Sequence, residues 1–108
     1  MAQRASYKRV LAAVEQVNKR YDLPGEWLKL QGSYEWWQLQ LYYVDEKEGL
    51  TTAINHLYTG TIGECWRVLL DVLGESVYLP KDGHGFKASL EYQIKRNFER
   101  LAVFNSKQ

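Results

Sequence analysis

From Tyr34 to Val44 the chain alternates in a way that separates two faces. Trp37, Leu39, Leu41 and Tyr43 fall on one side, and Trp36, Gln38, Gln40 and Tyr42 on the other. Side chains of a strand alternate with period two, so this segment reads as one long strand. The first set suits a core. The second shows water a polar surface that carries aromatics. A shorter strand precedes it, over about 26–31, with Leu28 and Leu30 inward and Trp27, Lys29 and Gln31 outward. Gly32-Ser33 between the two is expected to form a tight hairpin turn, because glycine at the first central position suits type II′. The polar stretch 45–49 closes a second hairpin. A third strand is expected over about 50–58, with a bulge near Asn55-His56 to reconcile the opposite parities of Ile54 and Leu57.

Three segments carry the helical period instead. Ser6 is a good N-cap, and Tyr7, Val10, Leu11, Val14, Val17 and Tyr21 follow at intervals of three and four. Asp22-Leu23-Pro24-Gly25 ends that helix. Thr61-Ile62-Gly63-Glu64 matches a capping box. Ile62, Cys65, Trp66, Leu69, Leu70 and Leu73 then form an apolar stripe, and Gly74 stands where a helix ends in left-handed backbone. A short extended piece over 77–80 and a flexible loop over 81–85 lead to a third helix, 86–104. Its stripe is Leu90, Ile94, Phe98 and Leu101, with Glu91 and Lys95 as an i,i+4 pair outside. The last residues, 105–108, are expected to fray.

The expected architecture is therefore α+β, in the order α-β-β-β-α-α: a three-stranded antiparallel β-meander with helices packed on it. Residues 1–108 fit one domain by length, with enough apolar material for a core. Whether the third helix completes the same layer or covers the second sheet face decides if Trp36 and Tyr42 form a surface or a core.

Eight Tyr and four Trp are many for 108 residues, and both types are enriched where proteins meet. The net charge of +1 conceals an asymmetry. Residues 1–20 carry five basic groups and one acid, residues 86–108 five and two, and the stretch between them four and ten. The single Cys65 excludes an internal disulfide and fits a reducing compartment. No charged leader with an apolar core precedes the first helix, and no apolar run approaches the ~20 residues that span a bilayer. The expectation is a cytoplasmic chain with no membrane partner.

Chemistry finds little support. Cys65 lies near a helix N-terminus, which favours a thiolate, and His56 is upstream as a conceivable base. Packing between Ile62 and Leu69 is the plainer role for such a cysteine. His56 and His84 lack metal-ligand spacing, and the carboxylates of 45–48 sit in a polar loop. The glycines of Thr59-Gly60-Thr61-Ile62-Gly63 can bind an anion through exposed amides, but a capped helix after a strand produces the same letters. No enzymatic activity, metal or cofactor is expected.

Two kinds of macromolecular partner remain. The order α-β-β-β-α through Gly74 resembles the double-stranded-RNA-binding domain in topology. That family opens its second helix on a lysine-rich run that holds phosphates. Here the position reads Thr61-Ile62-Gly63-Glu64-Cys65-Trp66, with an acid where the lysines would stand, and membership is not claimed. Nucleic acid could still meet the basic faces of the terminal helices, through Lys8, Arg9, Lys19, Arg20, Arg96 and Arg100. Protein binding fits better. Trp27, Lys29, Trp36, Gln38, Gln40 and Tyr42 would stand together as anchors and polar rim. The expected function is a small non-enzymatic adaptor or stoichiometric inhibitor of a larger machine. Accessory proteins of phages and mobile elements are often of this size. A free strand edge also permits a homodimer.

Overall fold

The computed structural model describes residues 6–23, 27–33, 35–44 and 52–106. Its elements are α1 (Tyr7–Arg20), β1 (Leu28–Ser33), β2 (Trp36–Val44), β3 (Thr52–Gly60), α2 (Ile62–Val72) and α3 (Phe86–Ser106). The sheet is an antiparallel meander in the order β1-β2-β3. The fold is α+β in the order read from the sequence. Glu26, Tyr34 and Leu50, expected in strands, lie outside the described residues, as do Pro24-Gly25 and the loop 45–49.

The cross-strand rows explain the core. Leu28 faces Leu41, which faces Asn55; Leu30 faces Leu39, which faces Tyr58. The four leucines are all buried, and each such side chain contributes about 1.5–3 kcal/mol on leaving water. Val10, Val14 and Val17 of α1, Val68, Leu69 and Val72 of α2, and Phe86, Leu90 and Ile94 of α3 close over them. All three helices thus lie on one side of the sheet. α3 joins that layer: Phe86 meets Tyr58 edge-on at 6.1 Å and Gln93 accepts a bond from Asn55 at 2.8 Å.

Several local expectations are corrected. Gly32 and Ser33 are not the hairpin turn. They are strand residues paired with Trp37 and Trp36, so β1 runs through both before the chain turns back. The reason is the Trp37 ring, which lies over the Gly32 backbone where a Cβ would overlap it. Glycine is there to admit an indole, not to turn the chain. The bulge is present but sits one residue later than expected. Leu39 pairs with Tyr58 and Gln40 with His56, which leaves Leu57 as the extra residue. β3 consequently runs on to Gly60.

The helices keep their start signals but rotate their stripes. Ser6 Oγ accepts from the Arg9 amide, and Thr61 and Glu64 form both halves of the capping box, at 3.2 and 2.9 Å. Gly74 adopts φ +90 after the second helix. The buried face of α2 is Cys65, Val68, Leu69 and Val72; Ile62, Trp66 and Leu73 flank it half-buried. On α3, Asn97 is buried and Phe98 is 39% exposed, so the stripe bends from Ile94 to Asn97; the side chain of Leu101 lies outside the described residues. Helix continues through Asn105 and Ser106, which were expected to fray. The loop 81–85 is anchored rather than loose. Gly83 is buried, with Val68 Cγ1 2.7 Å from where its Cβ would stand, and the Tyr58 hydroxyl donates to Asp82 at 3.0 Å.

Two buried asparagines tie helices to the sheet. Asn97 of α3 donates to the Tyr42 carbonyl at 2.8 Å, and its Oδ1 has no partner among the described residues. Asn18 of α1 makes two bonds to one residue: its Oδ1 accepts from the Leu28 amide and its Nδ2 donates to the Leu28 carbonyl, both at 3.0 Å. An edge residue of β1 is thereby satisfied by a side-chain amide standing in for a neighbouring strand.

Candidate functional site

The face of the sheet turned away from the helices is the candidate site. Its middle row is Lys29, Gln40 and His56, one residue from each strand. The next row is Gln31, Gln38 and Thr59. Gln40 is only 7% exposed although no described helix lies over it. Its central strand position and long neighbours on both sides shelter it. Its amide is used twice: Nε2 donates to Gln38 Oε1 at 3.0 Å and approaches His56 Nδ1 at 3.3 Å. His56 accepts that second proton when its own sits on Nε2. Lys29 extends diagonally across the β1–β2 ladder, with Nζ 4.7 Å from the centre of the Tyr42 ring. The middle of the face is thus a fixed polar lattice.

Apolar groups stand at the two ends of that lattice. Trp36 is 61% exposed beside the hairpin connection. At the far end Tyr42 pairs with Ile54, which is 45% exposed. Tyr42 stands six steps along the strand from Trp36, roughly 20 Å at the usual rise. The arrangement offers two greasy contacts at a fixed spacing, with hydrogen-bonding groups between.

The structure brings together Lys29, Trp36, Gln38, Gln40 and Tyr42 on this face, and removes Trp27 from it. Trp27 extends the ladder by one bond, its carbonyl accepting from the Tyr42 amide at 3.0 Å. Its ring turns under the sheet and packs on Phe98 of α3 at 5.2 Å. Phe98, 39% exposed on α3, offers the indole an apolar surface to cover. Ile54 and Thr59 join the face unannounced, because their parity depends on where the bulge falls.

The candidate thiol chemistry is not assembled. Cys65 is fully buried under the opposite side of the sheet from His56, with Sγ 3.8 Å from the Trp37 carbonyl. Burial, and then the charge of Glu64, push its pKa up to about 12. A nucleophile needs the reverse. The Thr59–Gly63 helix start offers an anion little, because the Glu64 carboxylate already occupies it. Among the described residues no cluster of three or more His, Cys, Asp or Glu side chains could hold a metal ion. The acids of 45–48 lie outside the described residues. Among these, no helix is long and apolar enough to cross a membrane.

The basic residues of the terminal helices stand mostly exposed, and several have engagements within the chain. Lys19 pairs with Glu15 at 3.9 Å, Arg20 donates to the Leu73 carbonyl at 3.2 Å, and Arg96 donates to the Tyr92 hydroxyl at 3.2 Å. Lys8 and Arg9 are exposed on α1, and Arg100 is half-buried on α3.

The chain matches no known protein family, no curated protein and no solved structure.

Proposed function

We propose that this protein is a non-enzymatic protein-binding module, an adaptor or stoichiometric inhibitor, whose partner docks on the outer sheet face. One observation carries the reading: the helices occupy a single side of the sheet, and the other side, uncovered among the described residues, is an ordered polar lattice ended by Trp36 and Ile54. An ordered lattice loses little side-chain freedom on binding, and exposed Trp and Tyr are the usual anchors of an interface. The mixed Lys, Gln, His and Thr composition fits a protein surface with its own amides and carboxylates.

A photo-crosslinking residue placed at position 36, with a control at Tyr78, tests this. Tyr78 is 90% exposed on the connection between α2 and α3. In cells that naturally contain the protein, position 36 should capture one protein species that position 78 does not, and Ile54→Ser should reduce the yield with the fold intact. Equal capture from both positions, or capture of nucleic acid at 36, would defeat the reading.

A further inference from the structure

Among the described residues β1 is an edge strand with no further strand beside it. The Tyr42 amide bonds the Trp27 carbonyl. Hydrogen-bonded pairs alternate along an antiparallel ladder, so residues 27, 29, 31 and 33 bond β2. Leu28, Leu30 and Gly32 therefore aim their amides and carbonyls away from the sheet. Asn18 satisfies Leu28, in agreement with that parity. Among the described residues nothing bonds the edge groups of Leu30 and Gly32. Beside them runs a groove of about 940 Å³ between α1 and β1, lined by Leu11, Val14, Glu15, Lys19 and Leu30.

We infer that two copies pair antiparallel through β1, about a two-fold axis at Gln31, to form a continuous six-stranded sheet. In this register Leu30 faces Gly32 of the second copy and Gly32 faces Leu30, so both residues satisfy their amides and carbonyls. Gln31 faces Gln31, and an amide is both donor and acceptor, hence complementary to itself. The strand of the second copy ends at Ser33. Opposite Leu28 this register passes beyond Ser33 of the second copy, and there Asn18 of the same chain supplies the bonds instead. A two-fold normal to the sheet keeps both helical layers on one side and sets the two α1 helices across the joined grooves. The groove wall carries Glu15 and Lys19, 71% and 77% exposed, so each sign can meet its opposite in the antiparallel mate. Leu11, 38% exposed, supplies apolar contact beyond the strand edge. The pairing is independent of whether a partner docks on the outer face, although it would join two such faces into one.

Sedimentation equilibrium of the full chain, from about 1 to about 100 µM, tests the pairing. The wild type should approach twice the monomer mass. In the proposed register residues 31 form a close, non-hydrogen-bonded pair, so Gln31→Lys and Gln31→Glu each place like charges opposite one another. Each alone should weaken the dimer roughly tenfold, with circular dichroism unchanged. Mixed in equal amounts they should restore it, because opposite charges then meet. A wild type that stays monomeric overturns the inference and leaves the edge to an extended segment of another protein. A dimer that ignores both variants, or variants that fail to rescue one another, overturns it as well.

Discussion

Replacing Asn18 by alanine removes a surrogate strand with a single substitution. Asn18 is 8% exposed, and its side chain makes both of its bonds to Leu28, which is itself 1% exposed. Truncation deletes two hydrogen bonds and strands a buried amide and carbonyl. A net bond contributes about 0.5–1.5 kcal/mol, and an unsatisfied buried group costs about 1–3 kcal/mol where water cannot reach it. Some water will enter the space vacated beside the groove, so the expected loss is about 2–4 kcal/mol. For a chain of this size that is a fall in Tm of roughly 10 °C or more. Urea unfolding followed by tryptophan fluorescence gives the free energy directly. Asn18→Leu separates packing from hydrogen bonding: it refills the space but not the bonds, and should be rescued little. Asn18→Asp keeps the acceptor but sets a carboxylate oxygen against the Leu28 carbonyl. Its folded pKa should rise, so its stability is greatest in acid and declines as pH rises through that value. A loss below about 0.5 kcal/mol for Asn18→Ala, or full rescue by leucine, would refute the idea that the edge needs this amide.

Gly32→Ala should cost about 1–3 kcal/mol, because its Cβ meets the Trp37 ring. Added to Trp37→Ala, the same change should cost nearly nothing, and additive losses in a double-mutant cycle would show that the ring is not the cause. Cys65 should resist thiol reagents in the native protein and react only at the rate of unfolding. Since its folded pKa is raised to about 12, the unfolded thiol ionises first, and stability should fall as pH climbs from the ordinary thiol range towards that value. Cys65→Ser should flatten that alkaline decline, and an unchanged slope would point to another group.

The element order was legible because period two and period 3.6 are local signals, and the first two helices begin after a residue whose side chain caps them, Ser6 and Thr61. The α3 position could not be read. Its stripe shows only that it must bury something, and Phe86, Gln93 and Asn97 find their partners in β2 and β3, far off in sequence. The Gly32-Ser33 turn failed for a related reason. A glycine beside a serine looks like a turn, and the indole it accommodates comes from the opposite strand. Trp27 left the outer face because its ring found Phe98, a contact of two elements 71 positions apart. Asn18 and Asn97 did announce themselves, faintly. Each falls on the apolar stripe of its helix, four residues after Val14 and three after Ile94. A polar side chain in such a place has to find a partner in the interior.

The extra residue at Leu57 decides the chemical character of the open face. Were Leu57 paired in the ladder instead, strict alternation from Tyr58 would carry it outward beside Gln40 and turn His56 and Ile54 toward the leucines. One irregular position therefore exchanges an aliphatic neighbour for an imidazole at the centre of the lattice, and brings an isoleucine out beside Tyr42. Deleting Leu57 would straighten the strand and keep His56 opposite Gln40 and Ile54 opposite Tyr42, whereas drawing Leu57 into the ladder would present any visitor to this surface with a different set of groups.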